Sequence, residues 1–443
     1  MIKICMIGTG YVGLVSGACL ADFGNSVRCV DIDAQRIKAL RKGIIPIYEP
    51  GLKEIVSRNS DSDRLLFTTD LGEAVTNSDV IFIAVGTPSL EDGSTDLSYA
   101  FTASKDLAAH IDGYKVIVQK STVPVGSTRQ IAEVIRKNAP AGAEFDVVSN
   151  PEFLREGSAI EDFLRPNRVV IGLESARAAE IMKKVYRPLY LLETPVVITT
   201  LETAELIKYA SNAYLATKIS FINEMSVICD LLGGNIDDVA KGMGLDQRIG
   251  SKFLHAGIGY GGSCLPKDVS SLLHEAKSKN YLPKIIQAVS DVNAEMTDRA
   301  IAKLEREIAP LKGKTIGILG LAFKPNTDDL REAPSLRIIP RLLEAGARIK
   351  AFDPIAMDNF RKQTDYKIEF CRNSYEVAEG CNALMLLTEW NEFRELDLER
   401  LKQLLLEPVF IDCRNVYKPQ EQSKQGFRYS SFGRGADINK KNT

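Results

Sequence analysis

Cys264 stands in the segment GGSCLPKD, residues 261–268, which holds several residue types suited to covalent chemistry. A thiolate is a strong nucleophile, and a nearby cation such as Lys267 favours its formation. Asp268 lies four residues after Cys264, so on a helix the two would share one face, and the carboxylate could orient or activate a water. A glycine-rich loop precedes the cysteine and predicts close approach of a ligand: Gly259, Gly261 and Gly262. The alternative is a buried, inert thiol that acts as a small hydrophobic side chain.

Two further pairs of residues could serve such a nucleophile. Lys208 and Asn212 are four residues apart in a helical stretch, and a cation with an amide can stabilise an oxyanion. Glu152 and Glu156 follow a predicted strand, where loops of α/β folds carry functional residues. The alternatives are an ordinary solvated helix face for the first pair and acids at a helix N-terminus for the second.

A dinucleotide site is predicted at the start of the chain. Gly8, Gly10 and Gly13 form a GxGxxG motif between an apolar run and a helical pattern. Asp31 ends the second predicted strand, where an acid binds the ribose hydroxyls and repels the 2′-phosphate of NADP, which favours NAD. Arg36 could reach the cofactor phosphates or be a surface arginine. The alternative for the motif is a set of turn glycines with a solvated aspartate.

Two threonines follow later predicted strands and are expected to contact the same cofactor. Thr87 lies in GTP at 86–88, and Thr122 lies in STVPVGST at 121–128. Ligands in open parallel sheets bind beyond the carboxyl ends of the strands, which is where both residues are placed.

The elements that must position these residues alternate between short apolar runs and helical stretches, which predicts an α/β fold with parallel sheets. Residues 1–200 are predicted to form a Rossmann domain for NAD, and 201–311 a helical domain with one long helix. Residues 312–430 are predicted to form a second, Rossmann-like domain, and 431–443 a flexible tail. The helical domain is a candidate for dimerisation and carries the cysteine loop.

Composition narrows the function classes. The chain has 443 residues, with 56 basic against 58 acidic side chains, which argues against a general nucleic-acid binder. No apolar run reaches the ~20 residues of a membrane span, and the N-terminal run is interpreted as a strand rather than a signal peptide. The eight cysteines form no CxxC pair and the three histidines are scattered, which predicts a reducing cytoplasm and no metal site.

Six segments together resemble the UDP-glucose/GDP-mannose dehydrogenase family, from residue 1 to about residue 430. They are GTGYVGL, STVPVGST, NPEFLREGSAI, ELIKYASNAYLATKISFINE, GYGGSCLPKD and GLAFKPNTDDLREAPS. The resemblance implies oxidation of a sugar C6 alcohol to a carboxylate with two NAD⁺, through a thiohemiacetal and a thioester on Cys264. It also implies a nucleotide-sugar substrate bound by the C-terminal domain.

The resemblance implies a role for each catalytic candidate. Cys264 is the nucleophile, and Lys208 and Asn212 stabilise the oxyanion. Glu152 is the acid/base acting through water, which Thr122 helps to hold, and Asp268 supports hydrolysis. The implied cofactor contacts are Gly8, Gly10, Val12, Gly13, Asp31, Arg36, Thr87, Thr122, Glu156, Lys267 and Arg331.

The implied substrate contacts come from all parts of the chain. They are Glu152, Phe153, Leu154, Arg155, Glu156, Lys208, Asn212, Arg248, Phe253, Leu254, His255, Ala256, Gly257, Gly261, Lys324 and Arg414. Arg248 resembles an arginine that reaches a neighbouring subunit's substrate, which implies a homodimer. The family usually has glycine where this chain has Cys413, a departure beside Arg414.

The resemblance favours UDP-glucose, oxidised to UDP-glucuronate. NPEFLREGSAI, LATKISFIN and RIGSKFL are similar to the UDP-glucose branch, and Ser263 stands where UDP-N-acetylhexosamine members tend to have histidine. GDP-mannose or another nucleotide sugar is the alternative within the family. A non-catalytic dinucleotide-binding scaffold is the alternative outside enzymes, although it would need a degraded site.

Overall fold

The computed structural model describes residues 1–434, which form two compact units. The first is Met1–Ser211 and the second begins at Asn212. The division falls inside the long helix rather than at the predicted boundaries of 200 and 311, so the three-domain division stays a prediction.

An eight-stranded sheet forms the centre of the first unit, in the order β3-β2-β1-β4-β5-β6-β7-β8. Only β6 and β7 pair antiparallel, through Ser149 and Gly172, which differs from the all-parallel sheet expected. Several of its strands are buried apolar runs; all four residues of Val80–Ile83 are buried, for example. The strands are β1 (Lys3–Ile7), β2 (Ser26–Val30), β3 (Leu65–Thr68), β4 (Val80–Ile83), β5 (Tyr114–Gln119), β6 (Glu144–Ser149), β7 (Val169–Gly172) and β8 (Val196–Thr199).

Helices connect these strands. The first of them has nine consecutive buried residues, Gly13 to Ala21, because small and apolar side chains let it pack closely on the sheet. The helices are α1 (Tyr11–Asp22), α2 (Ala34–Leu40), α3 (Leu52–Ser60), α4 (Leu71–Thr76), α5 (Ser98–Ala108), α6 (Ser127–Asn138), α7 (Ala159–Leu164), α8 (Ala176–Val185) and α9 (Arg187–Leu191).

A run of helices follows, as predicted. The long helix α10 (Leu201–Leu232) ends before Gly233, which has a φ of +77°. Three more helices complete the run: α11 (Ile236–Gly244), α12 (Leu265–Ser278) and α13 (Lys284–Ile308). None of the helices in the described part of the chain combines the length and hydropathy needed to cross a bilayer.

The second sheet has six parallel strands in the order β11-β10-β9-β12-β13-β14, the arrangement of a Rossmann fold. Its strands are β9 (Thr315–Leu319), β10 (Arg348–Phe352), β11 (Glu369–Phe370), β12 (Ala383–Leu386), β13 (Val409–Asp412) and β14 (Arg428–Ser430). Its helices are α14 (Pro334–Glu344), α15 (Met357–Gln363), α16 (Ser374–Ala378), α17 (Leu398–Leu404) and α18 (Pro419–Lys424), with a 3₁₀ turn at Asn391–Phe393. The predicted fold class is confirmed.

The start of the predicted flexible tail is packed. Phe432 is 1% exposed, its N–H donates to Asn415, and Arg434 donates to the carbonyl oxygen of Tyr417. The tail prediction is therefore wrong for residues 431–434, because an aromatic ring and an arginine there find buried partners. Residues 435–443 lie outside the described part of the chain.

Candidate active site

The three motif glycines serve three different geometric needs. Gly8 has a φ of +97°, and a Cβ there would lie 2.7 Å from the oxygen of Ala84. A Cβ at Gly13 would lie 2.0 Å from the oxygen of Gly8, so this glycine lets α1 pack on β1. A Cβ at Gly10 would meet nothing within 4 Å, so the N-terminus of α1 faces open space. Val12, in the first turn of that helix, is half-buried. This cradle fits a pyrophosphate.

Asp31 lies just beyond β2 and is held by several donors. Its carboxylate accepts hydrogen bonds from the Thr9 N–H (2.8 Å), the Thr9 hydroxyl (2.6 Å) and the Asp33 N–H (3.0 Å). Burial acts to raise the pKa of Asp31, but these hydrogen bonds and Arg36 outweigh it, so the pKa is lowered overall. The Arg36 guanidinium lies 3.4 Å from the same carboxylate. Its predicted contact with cofactor phosphates stays a prediction.

Replacing Asp31 by serine is expected to raise the KM for NAD⁺ by about tenfold to a hundredfold. The reason is the loss of a charged acceptor for the ribose hydroxyls, worth roughly 1.5–3 kcal/mol. The KM for NADP⁺ should fall in the same variant, because the repulsion of its 2′-phosphate is removed.

Asp33→Ser is the matched control, because Asp33 caps α2 through the Gln35 and Arg36 N–H groups and serine is also a good cap. Equal effects of the two substitutions on the KM for NAD⁺ would contradict the assignment of Asp31.

The loops after β4 and β5 are tied together. The Thr87 hydroxyl donates to the carbonyl oxygen of Thr122 at 3.0 Å, and the Ser121 hydroxyl donates to that of Val85 at 2.6 Å. Both predicted threonines therefore lie at the carboxyl edge of the sheet, as expected. Their contact with the cofactor stays a prediction.

Glu205, on α10, anchors the second of these loops and was missed in the sequence. Its buried carboxylate accepts hydrogen bonds from the Gly126 N–H (2.6 Å), the Thr128 N–H (2.8 Å) and the Thr128 hydroxyl (2.6 Å). Burial raises the pKa of Glu205 more than these hydrogen bonds lower it. The carboxylate thus caps α6 and fixes the loop against the helix that carries Lys208.

Glu152 and Lys208 form a buried ion pair within the first unit. The Lys208 Nζ and Glu152 Oε1 are 3.0 Å apart, and both side chains are at most 5% exposed. The Leu154 N–H donates to the other carboxylate oxygen at 2.5 Å. A carboxylate that a cation and an amide hold in place in this way can transfer a proton directly or through one water.

Glu49 holds the loop that carries Glu152 and was also missed. Its buried carboxylate accepts hydrogen bonds from the Gly157 N–H (2.6 Å) and the Ala159 N–H (2.8 Å), and from the Tyr11 hydroxyl. Burial and Glu49 raise the pKa of Tyr11. This carboxylate therefore connects the NPEFLREG loop with the glycine motif.

Other predicted members of this loop differ in their surroundings. Phe153 stacks under Arg168, whose guanidinium carbon is 3.5 Å from the ring centre. Arg155 is 61% exposed and pairs with Asp162 at 2.6 Å. Leu154 and Glu156 are half-buried. Their contacts with substrate or cofactor stay predictions.

Lys120 and Asn150, the residues directly after β5 and β6, are hydrogen-bonded to each other. The Lys120 Nζ donates to the Asn150 Oδ1 at 3.1 Å, and the Tyr186 hydroxyl donates to the same oxygen at 2.5 Å. Burial lowers the pKa of Lys120 to about 8, and Lys208 adds to this effect while Glu152 opposes it. Ligands of open parallel sheets bind beyond the carboxyl ends of the strands, so the position directly after each predicted strand is a signal that could have found both residues.

The burial of Lys120 predicts a pH-dependent stability. Below pH 8 the lysine is charged in both the folded and the unfolded state, so the full cost of its burial is present. Between about pH 8 and 10.5 the unfolded state binds more protons, so the stability of the wild type rises relative to Lys120→Met. The gain is on the order of 1–3 kcal/mol. Urea unfolding of both proteins at pH 7.5 and 9.5 measures this gain. If the difference between their free energies of unfolding is the same at both pH values, Lys120 is not a buried charge.

The cysteine and its neighbours are brought together within the second unit. Cys264 directly precedes α12, whose N-terminus favours a negative charge, and the Asp268 N–H donates to the Cys264 carbonyl oxygen at 2.9 Å. Asp268 is 1% exposed and accepts hydrogen bonds from Asn212 (2.6 Å) and Lys267 (2.7 Å). The predicted grouping of Cys264, Lys267 and Asp268 on one helical turn is therefore observed. The ammonium of Lys267 pairs with Asp268.

The glycines before Cys264 pack closely against other parts of the same unit, and the predicted approach of a ligand to their backbone stays a prediction. A Cβ at Gly261 would lie 2.2 Å from the oxygen of Glu332, and one at Gly262 would lie 2.6 Å from the ring of Phe323. A Cβ at Gly259 would meet the Asn293 side chain at 2.5 Å, and one at Gly257 the Cys413 oxygen at 2.7 Å. Glycine is needed here because other parts of the same unit approach too closely for a side chain.

Arg414 contacts the glycine-rich loop that precedes Cys264. Its guanidinium donates to the carbonyl oxygens of Leu387 (2.7 Å), Gly259 (3.1 Å) and Phe323 (2.9 Å). It also lies 3.2 Å from the Glu389 carboxylate. These contacts make Arg414 a support of the loop, and its contact with a sugar nucleotide stays a prediction.

The remaining residues predicted to bind substrate or cofactor differ in their exposure and in their contacts. Leu254 and Ala256 are buried in a cluster with Ile222 and Ile236, so only their backbone could contact a ligand, whereas His255 is exposed. Phe253 has a φ of +66°, an unusual conformation for this residue type. Arg248 is 89% exposed and pairs with Asp246; Arg331 pairs with Asp329, and the Lys324 ammonium lies over the Phe323 ring.

The sheet order, the glycine cradle and the acid after β2 define a dinucleotide-binding dehydrogenase of the Rossmann class. The chain belongs to the UDP-glucose/GDP-mannose dehydrogenase family. The family's NAD binding domain matches residues 2–190, its central domain 202–295 and its UDP binding domain 317–419. The predicted family and the NAD cofactor are confirmed.

Relatives in this family match nearly the whole chain. The UDP-glucose 6-dehydrogenase of Rhizobium meliloti (strain 1021) is 52% identical over 98% of this chain and 99% of its own. The UDP-glucose 6-dehydrogenase TuaD of Bacillus subtilis (strain 168) is 49% identical over 98% and 94%. A solved UDP-glucose dehydrogenase from Pyrobaculum islandicum is 38% identical, with a TM-score of 0.91 over 97% of each chain.

Proposed function

We propose that this chain oxidises UDP-glucose to UDP-glucuronate at the sugar C6, with two NAD⁺ per substrate. The observation that carries the proposal is the cysteine at the start of α12 beside the buried Asp268, in a chain that also has the dinucleotide cradle. A dehydrogenase that stops at an aldehyde needs no thiol, whereas oxidation to an acid through a thioester does. The relatives named as UDP-glucose 6-dehydrogenases support the choice of sugar.

The proposed chemistry has four steps. The C6 alcohol loses a proton and a hydride and becomes an aldehyde. The thiolate of Cys264 adds to the aldehyde carbon, and the resulting alkoxide takes back the proton that the alcohol gave up, which gives a thiohemiacetal. The thiohemiacetal loses a proton and a second hydride and becomes a thioester. Water then displaces the thiol and leaves the carboxylate. NAD⁺, when bound, accepts the hydride in each oxidation.

The described residues account for the proton and charge changes. Glu152 takes the alcohol proton through a water, and Lys208 stabilises the oxygen that becomes negative. The two groups form a buried ion pair, with 3.0 Å between the Lys208 Nζ and the Glu152 Oε1. Asp268, oriented by Asn212 and Lys267, directs the water that cleaves the thioester.

The decisive measurement is the number of NADH molecules formed per UDP-glucose, with GDP-mannose and UDP-N-acetylglucosamine run in parallel. Two NADH from UDP-glucose alone supports both the mechanism and the sugar. One NADH would overturn the role of Cys264. Turnover of another sugar alone would keep the mechanism and overturn the substrate, and no turnover of any would favour the non-catalytic scaffold.

We also propose that the chain acts as a homodimer through α10. Tyr214, Phe221 and Ile228 recur every seven residues along this helix and are 62%, 41% and 39% exposed. An apolar stripe with this spacing is typical of a helix that packs against a partner helix.

Tyr214→Asp combined with Phe221→Asp is expected to shift the protein to monomers, with the dimer weakened by at least about a hundredfold because two aromatic anchors become charged. Light scattering after gel filtration measures the mass. Tyr281→Asp changes a 66% exposed tyrosine elsewhere and serves as the control. A dimer that persists in the double variant would rule out this face.

The proposed mechanism needs a reduced thiol at Cys264. All eight cysteines, which lie within the described residues, are present as thiols. This supports the proposal that the enzyme works in a reducing compartment such as the cytoplasm.

A further inference from the structure

Three charged side chains are buried together near the carboxyl ends of β5 and β6. Lys120, Lys208 and Glu152 are 5%, 3% and 4% exposed. Glu152 and Lys208 pair with each other at 3.0 Å. Among the described residues, no carboxylate lies within 4.0 Å of the Lys120 ammonium, whose hydrogen bond goes to the neutral Asn150. The cluster therefore holds two cations for one anion.

Asn150 is a fixed point at the start of the loop that carries Glu152. Its N–H donates to the Gln119 carbonyl oxygen (2.9 Å), and its side-chain N–H donates to that of Val170 (2.7 Å). Its Oδ1 accepts from both Lys120 and Tyr186. Both polar atoms of the Asn150 side chain therefore make hydrogen bonds within the protein. Glu152 follows two residues later in the same loop.

A neutral donor could make the same hydrogen bond to Asn150 without the cost of burying a charge. The second cation therefore has a use beyond this hydrogen bond. It adds positive potential around the Glu152–Lys208 pair, at the place where the proposed oxidation develops negative charge on a substrate oxygen. Fixed charges are most effective in such a desolvated site.

We propose that Lys120 is a positioning residue: its ammonium fixes Asn150 and the backbone that leads to Glu152, and its charge reinforces that of Lys208. This inference rests on the proposed function. It assigns a role to a residue that none of the steps above uses.

The charge of Lys120 is lost within a measurable pH range. Its pKa is lowered to about 8 by burial, so kcat should fall as the pH rises above that value. The charged and titratable groups that face it are Glu152, Lys208, Tyr186 and, across a cavity of about 40 Å³, Arg168 and Asp162. Burial raises the pKa of Tyr186, which therefore stays a phenol throughout this range, and it lowers that of Arg168.

The test compares Lys120→Met and Lys120→Arg with the wild type, using kcat and the KM for UDP-glucose between pH 6.5 and 9.5. We expect Lys120→Met to lower kcat by about tenfold with a change in KM below about threefold, because the lost charge acts mainly in the transition state. The fall in kcat near pH 8 should disappear in this variant. Lys120→Arg should recover part of kcat and also lack the fall, because arginine does not titrate there.

Lys115→Met is the matched control. Lys115 is also 5% exposed and lies on β5, the strand that Lys120 follows, but its ammonium contacts the carbonyl oxygens of Thr76 and Ser78 and the Asp112 carboxylate. It should keep the wild-type pH profile. A fall near pH 8 that persists in Lys120→Arg, or a kcat of Lys120→Met within twofold of this control, would overturn the proposal.

Hydrogen–deuterium exchange of residues 150–158 gives a second readout that needs no substrate. Exchange there should be faster in Lys120→Met than in the wild type and the control. If the wild type fails to oxidise UDP-glucose, the proposed function is wrong, and exchange still decides the role of Lys120. Unchanged exchange in this loop would overturn the fixing of Asn150.

Discussion

Replacement of Cys264 by serine is expected to reduce steady-state NADH formation from UDP-glucose by about a thousandfold or more. The hydroxyl is a far weaker nucleophile than a thiolate, so the aldehyde is no longer captured and the second oxidation cannot follow. Binding should be preserved, because serine is close to cysteine in size. The measurements are steady-state NADH formation and the Kd for UDP-glucose from calorimetry.

Cys229→Ser is the matched control for this substitution. Cys229 is a nearly buried thiol on α10, packed with Ile222 and Ile236, and it should affect stability while leaving kcat within about threefold. Unaltered turnover in Cys264→Ser would rule out the covalent mechanism.

Replacement of Asp268 by asparagine is expected to lower kcat by about a hundredfold to ten-thousandfold, the range for loss of a general base. Asparagine keeps the shape of the side chain but cannot direct water to the thioester as a carboxylate does. The acyl-enzyme should therefore accumulate, with a burst of two NADH per subunit before the slow phase. Rapid-mixing kinetics measure the burst, and the mass of the intact protein shows the adduct on Cys264.

Glu275→Gln tests whether any acid on α12 has this effect, because Glu275 lies two turns further along the same helix. It should show wild-type kcat and no adduct. A slow Asp268→Asn variant without a burst would mean that Asp268 acts before the thioester forms.

The parts of the fold and site that were predicted from the sequence depend on short-range patterns. Gly8, Gly13 and Asp31 follow the spacing of a βαβ unit. A Cβ added at Gly8 would clash with Ala84, and one added at Gly13 would clash with Gly8, so these two positions require glycine. The turn from Cys264 to Asp268 spans four residues of one helix. Patterns of this length are set by local backbone geometry, which the sequence displays directly.

Some strands of the structure carry little periodic signal in the sequence. The strand β11 has two residues and β14 has three, too few for a pattern. The strand β8 is half-exposed at its ends and exposed in the middle, so it lacks the burial of its neighbours. The antiparallel pairing of β7 rests on one residue pair.

The missed site residues act over long sequence distances. Glu49 binds backbone groups 108 and 110 residues away, and Glu205 binds groups 77 and 79 residues away. A single acid in a mixed segment shows nothing of such partners, because the contact exists only after the sheet has assembled. The glycines before Cys264 show the same limit of sequence: it reveals that a side chain is absent but not which neighbouring groups lie where the side chain would be.

Cys264 is partly exposed, whereas the other seven cysteines are buried. Because of this difference, a thiol reagent can be used to titrate the active sites. An alkylating reagent added to the native protein should label one thiol per subunit, and the labelled fraction should equal the fraction of activity lost. The number of competent sites in a preparation could then be counted without a substrate, and kcat expressed per working site rather than per milligram.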